Sequence, residues 1–90
     1  MLQKFNKKNR DLIININGAL LHRDDAGISP FDSAVQGGDA VWEGLRVYDG
    51  KIFRLLAHLD RLRNSALALD FKQIPSHENI TEEIKRTLEA

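Results

Sequence analysis

The sequence holds no cysteine, which excludes disulfides, thiolate nucleophiles and thiolate-based metal sites. That usage fits a reducing compartment. No apolar run approaches the roughly 18 residues of a membrane-spanning helix, and the start of the chain lacks the apolar stretch of a secretory leader. The expected setting is therefore cytoplasmic, with no membrane partner. Neither charge is in excess, because 13 Lys and Arg balance 13 Asp and Glu. Nucleic-acid binders and membrane-surface binders carry a basic surplus, so no nucleic-acid partner is expected. The one locally basic stretch, formed by Lys4, Lys7, Lys8 and Arg10, reads as a solvated arm.

Other absences concern chemistry. His22, His58 and His77 are scattered, and His58 and Asp60, two apart, face different ways on a helix. No metal site is expected from them. Ser29 and Ser33 sit in nothing like a nucleophile elbow. Gly37-Gly38 lacks the Lys-Ser/Thr sequel of a phosphate-binding loop and precedes a strand, not a helix.

What remains is an ordinary soluble composition, 42% hydrophobic and 29% charged over 90 residues, enough for one small domain or a piece of a larger one. Leu12-Ile13-Ile14-Asn15-Ile16 is rich in β-branched residues and reads as a strand. Asn17-Gly18 is a strong hairpin signal, and Ala19-Leu20-Leu21-His22 is the returning strand. Asp24 to Pro30 has loop composition. Asp32 or Ser33 can cap a short helical turn that Gly37-Gly38 ends. From position 41 a strand pattern places Val41, Glu43, Leu45 and Val47 on one face and Trp42, Gly44, Arg46 and Tyr48 on the other. Asp49-Gly50 makes a second hairpin turn, returning through Lys51-Ile52-Phe53-Arg54.

The second half changes period. Leu55, Leu59, Leu62, Ala66 and Leu69 follow at spacings of four, three, four and three, one face of a helix that Phe71 closes. Pro75 breaks the chain and Ser76 is a plausible N-cap. Ile80, Ile84 and Leu88 then form the stripe of a second helix, with no stop signal before Ala90. Strands followed by helices give an α+β class: a single antiparallel sheet of two hairpins, covered by two helices.

Two constellations carry chemistry. Arg61 flanks the apolar helix face within His58-Leu59-Asp60-Arg61-Leu62. It is either a surface arginine paired with Asp60 or another neighbouring charge, or an anion anchor using its rigid fork of donors. Trp42, Gly44 and Arg46 share one strand face. A glycine within a strand often marks close approach of a ligand or a second backbone, so an aromatic, a gap and a charge together form a candidate pocket wall.

The run from Phe31 to Tyr48 resembles the N-terminal signature of the class IV pyridoxal-phosphate aminotransferases. That group includes branched-chain amino acid aminotransferases, D-amino acid aminotransferases and aminodeoxychorismate lyases. The matching parts are the helical turn, Gly38-Asp39 and Trp42-Glu43-Gly44-Leu45-Arg46, then Phe53-Arg54, His58-Leu59-Asp60-Arg61-Leu62 and Ser65-Ala66. With the Asn17-Gly18 hairpin, the resemblance runs from about Ile13 to Leu88.

This resemblance implies a branched-chain-aminotransferase-like enzyme that moves an amino group between an amino acid and a 2-oxo acid. Its cofactor is pyridoxal 5'-phosphate, and the family implies a homodimer or higher oligomer. Arg61 matches the arginine that binds the cofactor's phosphate. Trp42 matches an aromatic, usually Phe, that walls the substrate pocket, and Gly44 the glycine that clears space beside it. Arg46 matches an arginine near the rim, and Glu43 helps hold local structure, with no partner assigned. At Gly37, branched-chain members usually carry a Tyr that lines the pocket. The resemblance further implies that residues 1–90 are an incomplete small domain. The Schiff-base lysine lies in a large C-terminal domain, and Lys4, Lys7, Lys8, Lys51, Lys72 and Lys85 match no such position. No catalytic residue is then expected in these 90 residues, which alone would be inactive. Two alternatives stay open: a lyase-type member of the same family, and a stand-alone, non-catalytic α+β module that binds a partner or self-associates.

Overall fold

The structure, a computed structural model, describes residues 6–90, so Lys4 lies outside the described residues. The chain divides into two compact units. One combines the residues up to Ile28 with Glu78–Ala90, and the other is Ser29–His77.

In the first unit, Asn6 accepts a hydrogen bond from the Lys8 backbone and opens a short 3-10 turn over Lys7–Asn9, where the side chains are exposed. Strand β1 (Ile13–Ile16) pairs antiparallel with β2 (Ala19–His22) in the register Ile14 to Leu21 and Ile16 to Ala19. The turn needs positive φ at both central residues, and Asn17 (53°) and Gly18 (89°) supply it. A further bond, from the Arg23 N–H to the Leu12 carbonyl at 2.9 Å, extends the hairpin.

Helix α3 (His77–Glu89) follows directly after Ser76. It is tied to the hairpin by polar side chains. The Asn15 amide donates to Glu83 Oε2 (2.8 Å) and Thr87 Oγ1 (3.1 Å), while its carbonyl oxygen accepts from the Gly18 N–H (2.9 Å). Arg86 donates to the Gly18 carbonyl and pairs with Glu83. Donation from Asn15, then from Arg86, holds the Glu83 carboxyl below its ordinary range. The expected stripe Ile80, Ile84, Leu88 therefore needs one correction. Ile80 and Ile84 are half-buried, but Leu88 is exposed, and Thr87 takes its place beneath Asn15.

In the second unit, Asp32 caps α1 (Ser33–Gln36) by accepting from the Ala34 N–H at 2.8 Å. Gly37 ends the turn, donating to the Ser33 carbonyl, and Gly38 takes φ 71°. Strands β3 (Val47–Tyr48) and β4 (Lys51–Ile52) pair across Asp49 (50°) and Gly50 (75°), the same kind of turn as the first hairpin.

The expectation of one sheet is corrected here. Each hairpin is a separate two-stranded sheet, and the long strand expected from position 41 shortens to β3. Among the described residues nothing pairs with 41–46 in a ladder, yet the period-two burial persists. Val41, Glu43 and Leu45 are half-buried, and Trp42, Gly44 and Arg46 are exposed. Arg54 is also not strand. After Phe53 donates to the Arg46 carbonyl, the chain enters a left-handed conformation at Arg54 (φ 52°) and turns into α2.

Helix α2 (Leu55–Ala68) follows the expected face. Leu59 (3% exposed) and Ala66 (4%) are the buried core, with Leu55, Leu62 and Phe71 half-buried beside them, while Leu69 is left exposed. The α+β class stands. No helix among the described residues is long and apolar enough to cross a membrane.

Candidate functional site

Glu43, His58 and Arg61 meet in the second unit. Glu43 belongs to the alternating segment before β3, where odd positions turn inward, so its carboxylate faces the protein and is only 12% exposed. His58 and Arg61 are three apart on α2 and therefore neighbours on its surface. Arg61 Nε donates to both carboxylate oxygens (3.1 and 3.0 Å), and Nη2 donates to Oε1 at 2.7 Å. His58 Nδ1 lies 2.7 Å from the same Oε1.

The donor assignment follows from charge. Hydrogen bonds from Arg61, and then from His58, lower the Glu43 pKa from 4.5 to about 2. An ionised carboxylate only accepts, so His58 Nδ1 carries a proton and donates it. The 3.3 Å approach of Arg61 Nη2 to His58 Nδ1 is then a contact between two donors, not a bond. The same pairing with Glu43 raises the Arg61 pKa above its ordinary value, so the guanidinium stays charged.

Arg61 spends only part of its donor set on Glu43. A guanidinium carries five N–H groups. One on Nε and one on Nη2 face Glu43, which leaves both on Nη1 and the second on Nη2. The side chain is 66% exposed. This donor set fits an exposed oxyanion such as a phosphate group.

Trp42, Gly44 and Arg46 line the outward face of the same segment. Trp42 is 81% exposed. Its indole lies over Gly44: a Cβ added there would sit 3.6 Å from Trp42 Cζ3, ordinary contact distance. Arg46 Nη1 approaches the Tyr48 hydroxyl at 3.5 Å, and Tyr48 meets Phe53 edge-on with centroids 6.1 Å apart. Gly37 is tighter, since a Cβ there would lie 3.2 Å from Asp39 Oδ2 and 3.3 Å from the Ser33 carbonyl. A side chain at position 37 would thus require Asp39 to move.

The structure supplies the partner that sequence reasoning left unassigned for Glu43. It also brings in His58, which the sequence offers as a poor metal ligand and as part of the motif that resembles the family, with no role of its own. The usable signal was the i, i+3 spacing of His58 and Arg61. The fifteen-residue separation of Glu43 from His58 has no local signature. Asp60, the partner considered for Arg61, pairs instead with His77 (Nε2 to Oδ1, 2.8 Å). Among the described residues no group of three His, Asp or Glu gathers as a metal site would require.

A family model described as amino-transferase class IV matches residues 40–90, more than half of the chain and the span that contains Glu43, His58 and Arg61. The chain belongs to the class IV aminotransferases. Among its relatives is the branched-chain-amino-acid aminotransferase-like protein 1 of Arabidopsis thaliana, 53% identical over 81 residues, covering 90% of this chain and 15% of that protein. A D-alanine aminotransferase of Listeria monocytogenes is 37% identical over 71 residues, covering 79% of this chain and 25% of the relative. One from Staphylococcus epidermidis is 33% identical over 73 residues, covering 81% and 26%. The chain thus spans between 15% and 26% of the length of these three relatives.

Proposed function

We propose that this chain contributes a cofactor- and substrate-facing wall to an amino acid aminotransferase of branched-chain type, which uses pyridoxal 5'-phosphate to move an amino group from an amino acid to a 2-oxo acid. The observation that carries the reading is Arg61. It lies inside the family match, stays charged, and keeps three N–H groups clear of its Glu43 partner. The cofactor, when bound, supplies the electron sink that amino transfer requires.

In this reading Arg61 takes the cofactor's phosphate. Trp42 shapes the space for the substrate side chain, Gly44 leaves clearance under the indole, and Arg46 stands at the rim. Gly37 brings no side chain to the space, and Asp39 Oδ2 and the Ser33 carbonyl crowd the place where a Cβ would stand. The lysine that holds the cofactor comes from chain outside these 90 residues, in a large C-terminal domain, and the whole enzyme acts as a homodimer or larger assembly in the cytoplasm.

The test is cofactor affinity in the full natural chain. Arg61→Gln is expected to weaken pyridoxal 5'-phosphate at least tenfold, since a charge-assisted hydrogen bond contributes roughly 1.5–3 kcal/mol. An unchanged affinity would remove Arg61 from the site.

A second reading, a non-catalytic module that self-associates, is favoured by the exposure of Phe31, Phe53 and Leu56. It predicts oligomers with no amino transfer by the full natural chain.

A further inference from the structure

We propose that Glu43, braced by His58, is a positioning residue for the anion that Arg61 binds: it fixes the guanidinium so that the remaining N–H groups are ordered before the anion arrives. The proposal rests on the reading of Arg61 given above and extends it to Glu43, on a second segment of the chain, and to His58, on the helix of Arg61.

An arginine has a long stem, and one exposed to solvent on a helix ordinarily samples many rotamers, which a ligand must freeze on binding. Arg61 is such a residue by exposure, yet it is gripped along one edge by both oxygens of Glu43. The grip holds because the carboxylate is itself fixed. It is nearly buried, and His58 Nδ1–H holds Oε1 from a second direction at 2.7 Å. His58 and Arg61 share one helix, so the carboxylate from the segment before β3 is pinned to two points of α2.

A carboxylate beside an anion site also repels the anion. The guanidinium is well solvated, so that repulsion is strongly screened, and ordering is the larger effect. The two separate experimentally. Glu43→Asp keeps the charge but is one methylene too short to reach Arg61 and His58 together. Glu43→Gln keeps the reach and loses the charge.

The experiment uses the full natural chain without cofactor and two probes, pyridoxine 5'-phosphate and pyridoxine. Neither has an aldehyde, so neither links covalently to a lysine. The ratio of their dissociation constants reports the phosphate alone. Glu43→Asp is expected to lower that ratio about three- to tenfold, the cost of ordering one rotamer-rich side chain. Glu43→Gln, which retains an acceptor at the same reach, is expected to restore part of it. Arg61→Gln is expected to abolish most of it.

If Arg61→Gln leaves the ratio unchanged, the reading of Arg61 as phosphate anchor fails, whatever Glu43 does. If Arg61→Gln collapses the ratio and Glu43→Asp does not move it, the anchor stands and the positioning role is overturned. A measurement on the unsubstituted chain guards against variants that do not fold. With no probe present, the Arg61 Nε–H is expected as a slowly exchanging nitrogen-15 NMR signal with contacts to Glu43. Rapid exchange there would overturn the proposal.

Discussion

Replacing Trp42 with alanine removes the largest exposed side chain on the face assigned to the substrate. Trp42 is 81% exposed, so its loss should cost the protein itself within about 0.5 kcal/mol, as for most surface substitutions. Its effect on a bound substrate is larger. A tryptophan offers about 200 Å² to bury, of which roughly 160 Å² is open at this exposure. A substrate side chain lying on one face would cover about half of that, roughly 80 Å². At about 25 cal/mol per Å² this is about 2 kcal/mol, or about thirtyfold in kcat/KM for the largest aliphatic donors. The smallest donors, which do not reach the indole, should lose little. The assay is kcat/KM for amino donors of increasing side-chain length, beside the dissociation constant of pyridoxine 5'-phosphate and a thermal melt. A loss independent of donor size, matched by an equal loss of cofactor affinity, would refute the assignment of Trp42 to the substrate side.

Three further outcomes are expected. Asn15→Ala removes the four side-chain hydrogen bonds that join the first hairpin to its own turn and to α3, and should destabilise the protein by about 1–3 kcal/mol in a denaturant titration, with no effect on cofactor affinity. Leu59→Ala empties the best-buried position of α2 and should cost about 2–4 kcal/mol by the same assay; a cost under about 1 kcal/mol would mean that the site is not core. Glu43 has its pKa lowered to about 2 from 4.5, so the stability it contributes is fully present above about 4.5 and is lost as the pH falls toward 2. Carbon-13 titration of its carboxyl is expected to show that midpoint, which Arg61→Gln should move upward.

Local signals in the sequence carried much of this architecture. Asn17-Gly18 and Asp49-Gly50 both form two-residue turns with positive φ, because few other residues adopt that geometry cheaply. Asp32 caps α1, and the three- and four-residue spacing from Leu55 to Ala66 marks the inward side of α2. Non-local pairing was not legible. The alternation from Val41 to Arg46 reports only which side chains turn inward, and it persists whether or not a neighbouring strand completes a ladder. Thr87 replaces Leu88 beneath Asn15 because a polar partner seventy-two positions away outweighs the apolar stripe. The same limit applied to the candidate site. Arg61 stood out by its motif and Glu43 by its neighbours, but the contact between them depends on a fold that brings positions 43 and 61 together.

Product formation is the measurement that decides whether the full natural chain carries out the proposed amino transfer. The full natural chain would be purified, supplied with pyridoxal 5'-phosphate, a nitrogen-15-labelled branched-chain amino acid and 2-oxoglutarate, and the label followed by mass spectrometry. Labelled glutamate and the donor's 2-oxo acid are expected in equal amounts, with a large loss of both in Arg61→Gln. Cofactor bound without any transfer of label, across branched-chain and D-alanine donors alike, would rule out the proposed amino transfer.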